Sequence, residues 1–525
     1  MFKEMGTKEK KNSKINKNSV IAGLFVIAPI IMSFILLGIK WIGEGYVSFP
    51  GMKWNDEAAY IKLIQTYSKF LSPKGYWGFD GNHAIVGTGS AWSFAILAPY
   101  AIIGRIIKAG PSFVYFCNMF FIALANTILL LCVKPSFLTK IKLILAELTS
   151  TVFILYLNTD MSEIFRFSLA VVLVALLYKV YFDECPKWFK YAVVPVFILY
   201  TVQVYTFFAF CIPVYVFAIT KKSKTWKRLL WSFVAMGVVA GGSYFLLHLI
   251  SSNYNIAKTE RLLAAVKSGN VLGAARSFAG MIKDGIIGLY NLVYTVYSNG
   301  IYVFHLMFAL LLVVTGLRQF FSKKAETKDR TIGLIAAYSI VVFFFMYMTL
   351  YTIVPDTFMR GTEIAVLFSL VFMALSSDKW VVWSLILCNA TGLLFLPVNL
   401  KNFQGEERFL TKEERNEWAL LEEEFDSVFT LDKKADPWSN TIIMYTMEPR
   451  AIAAVPAGFG VNFALGMEYV PSDAGYLVFT THKDRRPDWI ETDYEEILEK
   501  NGGELQSSYV EIYRNDEYVV YGRRN

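Results

Sequence analysis

Residues 20–40 read Val-Ile-Ala-Gly-Leu-Phe-Val-Ile-Ala-Pro-Ile-Ile-Met-Ser-Phe-Ile-Leu-Leu-Gly-Ile-Lys, and residues 54–57 read Trp-Asn-Asp-Glu. The first stretch has no charge before Lys40 and is long enough to cross a hydrocarbon core of about 30 Å. Ahead of it lie Lys3, Lys8, Lys10, Lys11, Lys14 and Lys17. The apolar run exceeds a signal-peptide core and lacks a small-residue cleavage site, so it reads as a retained anchor behind a basic tail, residues 1–19. The second stretch sets two carboxylates, Asp56 and Glu57, just beyond that span.

Working outward, the same apolar character recurs. The chain has 525 residues, 55% of them hydrophobic and 18% charged, against about 25% charged in a soluble domain. Apolar runs fall at 20–40, 112–133, 143–158, 165–182, 188–201, 205–220, 229–250, 299–317, 331–354, 361–376 and 379–397, which predicts about eleven spans. Basic clusters, such as Lys221, Lys222, Lys224, Lys227 and Arg228, lie beside these runs and mark the cytoplasmic side. The net charge of +8 is read as that bias and not as a nucleic-acid footprint. Residues 91–108 read as an interfacial helix on the outer leaflet, because a crossing there would put Lys134, Lys140 and Lys142 outside. Residues 188–220 have basic flanks at both ends and read as two short helices turning near Thr201–Tyr205.

The expected fold is mainly α: a polytopic transmembrane bundle over residues 20–399, with a long first outer loop at 41–111 and another loop near 251–298. Composition shifts near residue 400, where Glu406, Glu407, Glu414, Glu422, Glu423 and Glu424 cluster. Strand-like runs at 441–446, 476–481, 510–513 and 518–521 follow, with a helix at 493–501 closed by Gly502 and Gly503. Residues 400–525 are therefore expected to form a small extracytoplasmic α/β domain. Cys117, Cys132, Cys185, Cys211 and Cys388 lie in or beside spans, so no disulfide framework is expected. CxxC and HExxH are absent from the sequence, and the glycine-rich run Gly75–His83 lacks the Gly-Lys-Ser/Thr of a phosphate-binding loop. That run fits a tight loop or a sugar-stacking platform.

Three clusters could carry chemistry. Asp56 and Tyr60 are four residues apart on one helix face. A carboxylate at a lipid–water boundary is placed to take a proton or hold a cation; Asn55, Asp56 and Glu57 equally suit a helix start. Asn158-Thr159-Asp160-Met161-Ser162-Glu163 forms a short outer loop before Arg166 and serves as an acidic site or a capping segment. Arg360 and Glu363 stand at a span entrance, where an arginine either snorkels or grips a phosphate. Arg105 and Lys108 close the first loop within reach of lipid phosphates.

This layout resembles the GT-C superfamily, polytopic glycosyltransferases that use polyprenyl-phosphate-linked sugars, in the order of the aminoarabinose and protein mannosyltransferases. The resemblance rests on the tail, the anchor, the Asp56–Glu57 pair, the helix closing the first loop, the acidic second loop and the outer C-terminal segment. It implies that Asp56, with Glu57 beside it, is the catalytic base or a metal ligand, and that Asp160 is the second-loop acid. Glu163, Tyr60, Arg360 and Arg105 become the expected substrate contacts. It also implies a polyprenyl-phosphate sugar donor and an envelope glycan, lipid or protein acceptor, and it leaves the need for a divalent cation (Mg or Mn) open, with Asp56 and Asp160 as the candidate ligands. One departure stands out. The family's His/Lys-Pro-Pro-Leu motif is missing, and Ala91-Trp92-Ser93-Phe94 occupies its neighbourhood. Rival expectations are a transporter or flippase of lipid-linked precursors, a non-catalytic envelope-assembly protein, and a polymerase or ligase of lipid-linked glycans.

Overall fold

A computed structural model describes residues 17–44, 49–50, 55–71, 77–79, 94–183, 185–186, 189–190, 205–250, 257–295, 300–350, 353, 355–397, 409–432, 437–446, 448–463, 470–471, 473–481 and 494–524. In chain order the elements are α1 (Lys17–Glu44), β1 (Phe49–Pro50), α2 (Asn55–Phe70), β2 (Trp77–Phe79), α3 (Phe94–Ile106), α4 (Phe113–Val133), α5 (Phe137–Leu148), α6 (Thr151–Leu157) and α7 (Glu163–Phe182). Then come α8 (Tyr205–Ile219), α9 (Thr225–Ile250), α10 (Ala257–Lys267), α11 (Val271–Thr295), α12 (Gly300–Phe321), α13 (Thr327–Leu350), α14 (Pro355–Ala374) and α15 (Lys379–Thr391). The C-terminal part holds β3 (Phe409–Leu410), α16 (Lys412–Val428), β4 (Thr441–Tyr445), α17 (Pro449–Ala454), β5 (Gly460–Phe463), β6 (Tyr476–Thr480), α18 (Tyr494–Ser508), β7 (Tyr509–Arg514) and β8 (Tyr518–Arg523).

Among the described residues five helical stretches are long and apolar enough to cross a bilayer: Lys17–Leu37, Phe113–Val133, Glu163–Phe182, Gly300–Phe321 and Thr327–Thr349. With the composition, they make this a membrane protein. The core of the bundle is built by α4 on α7, α13 on α12 and α14, and α14 on α7. Helices α12 and α13 come close where Gly316 and Gly333 meet: a Cβ on either would lie 2.5 Å from the other's carbonyl oxygen. Small residues permit such approach between membrane helices. All five cysteines are free.

Polar side chains inside the bundle have identifiable tasks. Pro29 lies inside α1 and cannot donate to the carbonyl four residues back. That carbonyl, Phe25 O, accepts from Asn126 Nδ2 at 3.2 Å, and the same amide donates to Glu147 Oε2 at 3.0 Å. Ser33 is hydrogen-bonded to Tyr115 Oη at 2.8 Å and donates to Asn158 Oδ1, which ties α1 to the loop ahead of α7.

The structure departs from the expected spans in several places. Residues 143–158 are not one helix: the break between α5 and α6 falls at Thr149–Ser150. There Asn389 Nδ2 donates to Thr149 Oγ1 at 3.1 Å, and Ser150 Oγ donates to Glu363 Oε1. Hydroxyl residues that find such partners compete with the helix ladder. The region 251–298 holds two helices, and Gly285 and Gly288 let α11 pack closely against Met348 and Ile353. Helix α15 ends in a 3-10 turn, Gly392–Phe395. Most of 188–201, Thr201 to Val204 of the expected turn, and the composition shift at 398–408 lie outside the described residues. Helix α3 has 13 residues, about 20 Å of rise, well short of a hydrocarbon core. One face, Ile96, Leu97 and Tyr100, is buried, while Ile102 and Ile106 are 64% and 82% exposed. Such a two-faced short helix suits the interface.

The C-terminal sheet runs β2-β5-β4-β6-β8-β7. Strands β2, β5, β4 and β6 are parallel, and β8 and β7 add an antiparallel edge. Four of these strands match the expected runs. Strand β5 lies outside the expected runs, and β2 comes from the first loop. The C-terminal segment thus completes its sheet with residues more than three hundred positions upstream, and β1 pairs with β3 across a similar distance. The charged stretch forms α16, opened by a capping box in which Glu414 N donates to Thr411 Oγ1 at 3.1 Å and Thr411 N to Glu414 Oε2 at 2.7 Å. Helix α18 does not stop at Gly502–Gly503. It continues to Ser508, which brings Leu505 as well as Ile497 into a core with Ile443 and Phe479. Burial of Leu505 outweighs the helix-breaking tendency of the glycines.

Candidate functional site

Helix α2 starts at Asn55 with Asp56 and Glu57 in its first turn. The two acids then diverge, because successive helix residues point about 100° apart. Asp56 Oδ2 meets Arg360 Nη1 at 3.2 Å, and the same nitrogen lies 3.5 Å from Glu163 Oε1. Arg166 Nη1 stands 3.6 Å from that glutamate oxygen, one helix turn along α7. Tyr60, 4% exposed, is buried within the electrostatic reach of all four charges. Three chain segments, α2, the start of α7 and the start of α14, thus converge on one cluster with two acids, two arginines and a phenol.

Burial pushes the Asp56 carboxyl above its ordinary value. Arg360 pulls it back, Glu163 raises it, and Arg166 lowers it. Burial also raises Tyr60, with the Glu163 charge adding to the effect. A carboxyl held above its usual range holds a proton more strongly than a free one, which suits a proton acceptor.

Glu57 belongs to a second network. Its Oε1 accepts the Asp160 N–H at 3.0 Å. The Asp160 carboxylate, fully buried, accepts the Tyr115 N–H at 2.7 Å and also the Ser112 N–H. These are donors at the first turn of α4, whose cap residue Ser112 adopts φ 62° and makes no side-chain cap of its own. Asp160 therefore caps α4 from another segment. Burial raises the Asp160 carboxyl well above its ordinary value and the nearby Glu57 raises it further, while the two backbone donors and Arg415 oppose that. Asn118 joins the same network, accepting from Tyr100 Oη at 2.6 Å and donating to Met161 O at 2.7 Å.

The structure thus brings Asp56, Tyr60, Glu163 and Arg360 together, and sets Glu57 and Asp160 in the adjoining cap network. Arg105 does not join either: it donates to Ser68 O at 3.1 Å, and neighbouring Lys108 pairs with Glu422 at 3.0 Å. Glu363 also turns away, accepting from Ser150 and lying 3.7 Å from His305 Nδ1. Of Gly75–His83, only the strand Trp77–Phe79 lies within the described residues. Arg166 is the site residue that sequence reasoning placed only as a helix-turn neighbour. Its signal was the i, i+3 spacing from Glu163.

Asp56 and Asp160, the candidate ligands for a divalent cation, lie in different networks. Among the described residues no group of three His, Cys, Asp or Glu side chains is arranged to hold a metal. Between Asp56 and Glu163, where a cation would bridge two carboxylates, stands the Arg360 guanidinium. Asp160 Oδ1 is directed onto the α4 backbone.

No family model matches the chain, and no curated protein matches it. Among solved structures it is similar to ArnT from Cupriavidus metallidurans bound to undecaprenyl phosphate, with TM-score 0.44 and 9% identity over 96% of this chain and 98% of that one. It is also similar to the Archaeoglobus fulgidus oligosaccharyltransferase in complex with Zn and sulfate, with TM-score 0.44 and 13% identity over 92% of this chain and 70% of that one. The same archaeal enzyme tethered to an acceptor peptide gives TM-score 0.42 and 13% identity over 98% and 74%. At such identity the likeness concerns the path of the chain alone.

Proposed function

We propose that this protein is a membrane glycosyltransferase that moves a sugar from a polyprenyl-phosphate donor to an extracytoplasmic hydroxyl acceptor. The observation that carries the reading is the shared guanidinium: Arg360 Nη1 lies 3.2 Å from Asp56 and 3.5 Å from Glu163, at the meeting point of three segments. In this reading the basic tail is cytoplasmic, the chain crosses the membrane many times, and the cluster and C-terminal domain face outward.

The chemistry follows from the residues. The donor phosphate competes with the two carboxylates for Arg360, with Arg166 adding positive charge. Asp56, released from its ion pair, accepts the proton of the incoming acceptor hydroxyl. The acceptor oxygen bonds to the anomeric carbon from the face opposite the phosphate, and the bond from that carbon to the phosphate oxygen breaks with inversion. The leaving phosphate is already an anion, so it needs charge compensation more than a proton. Tyr60 lies on the Asp56 face and supplies a hydroxyl for the sugar. Asp160 and Glu57 act through the backbone of α4 and the second loop without touching the substrate.

The test is transfer by the purified protein in liposomes, with a polyprenyl-phosphate hexose and a hydroxyl acceptor, followed by release of polyprenyl phosphate. Asp56→Asn is expected to abolish release while the protein remains folded and membrane-inserted. Full turnover by that variant would overturn the assignment. Movement of intact donor between leaflets without any release would favour the flippase reading.

A further inference from the structure

Helix α2 carries the cluster on one face and is gripped on another. Lys62 lies six residues beyond Asp56, about 240° around the helix and about 9 Å along it. It is 1% exposed. Its Nζ donates to Val455 O at 2.6 Å and to Pro456 O as well. One turn on, Thr66 Oγ1 accepts the Gly458 N–H at 3.3 Å. One turn further, the Phe70 ring packs so tightly on Gly458 that a Cβ there would lie 3.0 Å from it, and Gly458 takes φ +109°, a conformation that favours glycine. Three successive turns of α2 therefore lock onto residues 455–458.

That segment is itself held firmly. It joins α17 to β5, the strand that pairs with both β4 and first-loop strand β2. Arg450 in α17 binds Glu417 of α16 at 2.6 Å and Glu517 of the β7–β8 turn at 3.4 Å, and Glu448 as well. A buried amine is an expensive way to attach two pieces of protein, since an apolar side chain of the same length would avoid its desolvation. Its two carbonyl bonds, unlike apolar contact, fix both rotation and axial position.

We propose that Lys62 is a positioning residue: the C-terminal domain, through the carbonyls of residues 455 and 456, sets the rotation of α2 and so the placement of Asp56 against Arg360. The inference rests on the transferase reading for its kinetic consequence but not for its structural one. A misplacement of about 1 Å in a reacting group is enough to slow chemistry by about 10²-fold. The C-terminal domain on this account is part of the catalytic device and is not an appendage for acceptor choice alone.

The experiment compares full-length Lys62→Met with the unaltered protein in the same liposomes. Expected is a fall in kcat of about 10²-fold, with KM for the polyprenyl-phosphate sugar unchanged and the loss larger than the unfolded fraction of the variant explains. A second readout needs no activity: pH-dependent carbodiimide labelling of Asp56, quantified by mass spectrometry. Arg360, Glu163, Arg166 and Tyr60 face that carboxyl, so moving α2 changes its labelling midpoint. An unchanged midpoint with unchanged kcat overturns the proposal, as does a loss of kcat that merely follows the unfolded fraction. If Lys62→Met does not fold, Thr66→Val, which removes only the Gly458 contact, is expected to shift the midpoint in the same direction by a smaller amount, and no shift there overturns the proposal equally. A protein with no transferase activity but a shifted midpoint would sink the functional reading and leave the clip standing.

Discussion

Removing either charged partner of Asp56 should move the pH dependence of turnover, and the two removals should move it in opposite directions. Arg360 holds the Asp56 carboxyl down and Glu163 pushes it up, against a background of burial that raises it from 3.8. The closest approach of Arg360 to Asp56 is 3.2 Å. Two unit charges about 4 Å apart at an effective dielectric of about 20 interact by about 4 kcal/mol. At about 1.4 kcal/mol per pH unit that is an upper bound of about three units. Side chains 15% and 21% exposed admit some water, so about one to three units is expected. Arg360→Gln should shift the acidic limb of kcat against pH upward by that amount. Arg360→Lys keeps the charge and should shift it much less. Glu163→Gln should move the limb downward by about one unit, because its charge is already partly met by Arg360 and Arg166. The sign for stability is opposite to that for activity. A raised carboxyl binds its proton more tightly in the folded state, so the stability it contributes below 3.8 is lost as pH rises through the folded value. The assay is a pH–rate profile at saturating donor, with carbodiimide labelling of Asp56 as a check. Shifts of the same sign in the two charge-removing variants, or none in either, would refute the electrostatic account.

Further outcomes follow from the same contacts. Asp160→Asn weakens the acceptor for the α4 backbone donors, and Asp160→Ala removes it; the alanine variant should lose about 1–2 kcal/mol of stability, read by thermal or denaturant unfolding, with donor affinity of the folded fraction kept. Asn126→Ala leaves the Phe25 carbonyl without its donor beside Pro29 and should destabilise by about 1–3 kcal/mol; an Asn126→Ala, Pro29→Ala double variant should recover part of that, which a double-mutant cycle measures. Ending the chain before Phe409 removes β5, the strand that β2 pairs with, and bares Lys62, so the truncated protein should show fast hydrogen exchange across α2 as well as loss of turnover. Slow exchange in α2 would mean that the first loop stands without the C-terminal domain.

The parts of this architecture that were readable in the chain are those set by local pattern. Long apolar runs mark α1, α4, α7, α12 and α13 because bilayer thickness fixes their length. Alternation and β-branched residues mark β4, β6, β7 and β8. Thr411 and Glu414 announce the start of α16 at the spacing of a capping box. The misses share a different cause. The break at Thr149–Ser150 depends on Glu363 and Asn389, which lie more than two hundred residues away. Strand β2 is three residues long and exists only because β5 supplies a ladder. Helix α18 ignores its glycines because Leu505 is wanted in a core made by other strands. In the site, Asp56, Tyr60, Glu163 and Arg360 were legible as charged or amphipathic residues at the ends of apolar runs. That Arg105 would turn to a carbonyl of α2, and that Arg360 would bridge Asp56 and Glu163 while Asp160 turned to the α4 backbone, depends on three-dimensional neighbours that no spacing encodes.

Adjacent residues Asp56 and Glu57 give the site its logic. Their side chains enter different networks, one of charges and one of backbone caps, so a single peptide unit joins the Asp56–Arg360 cluster to the N-terminus of α4 and the second loop. Glu57 accepts from the Asp160 N–H at 3.0 Å, and Asp160 accepts from the Tyr115 N–H at 2.7 Å. The loop that carries Asp160 leads through Met161 and Ser162 into α7, whose first residue is Glu163. Asp56 and Glu163, the two acids that share Arg360, are therefore held by the same chain of backbone contacts. Lys62 fixes the other face of α2 to the C-terminal domain. A helix of 16 residues, with a marginal tendency to form by itself, is clamped on both faces, which fixes the position of Asp56. If Glu57→Gln, which keeps the acceptor oxygen for Asp160, preserves turnover while Glu57→Ala loses it with Asp56 labelling changed, the cap network serves geometry. Equal loss in both variants would make the Glu57 charge itself the working part.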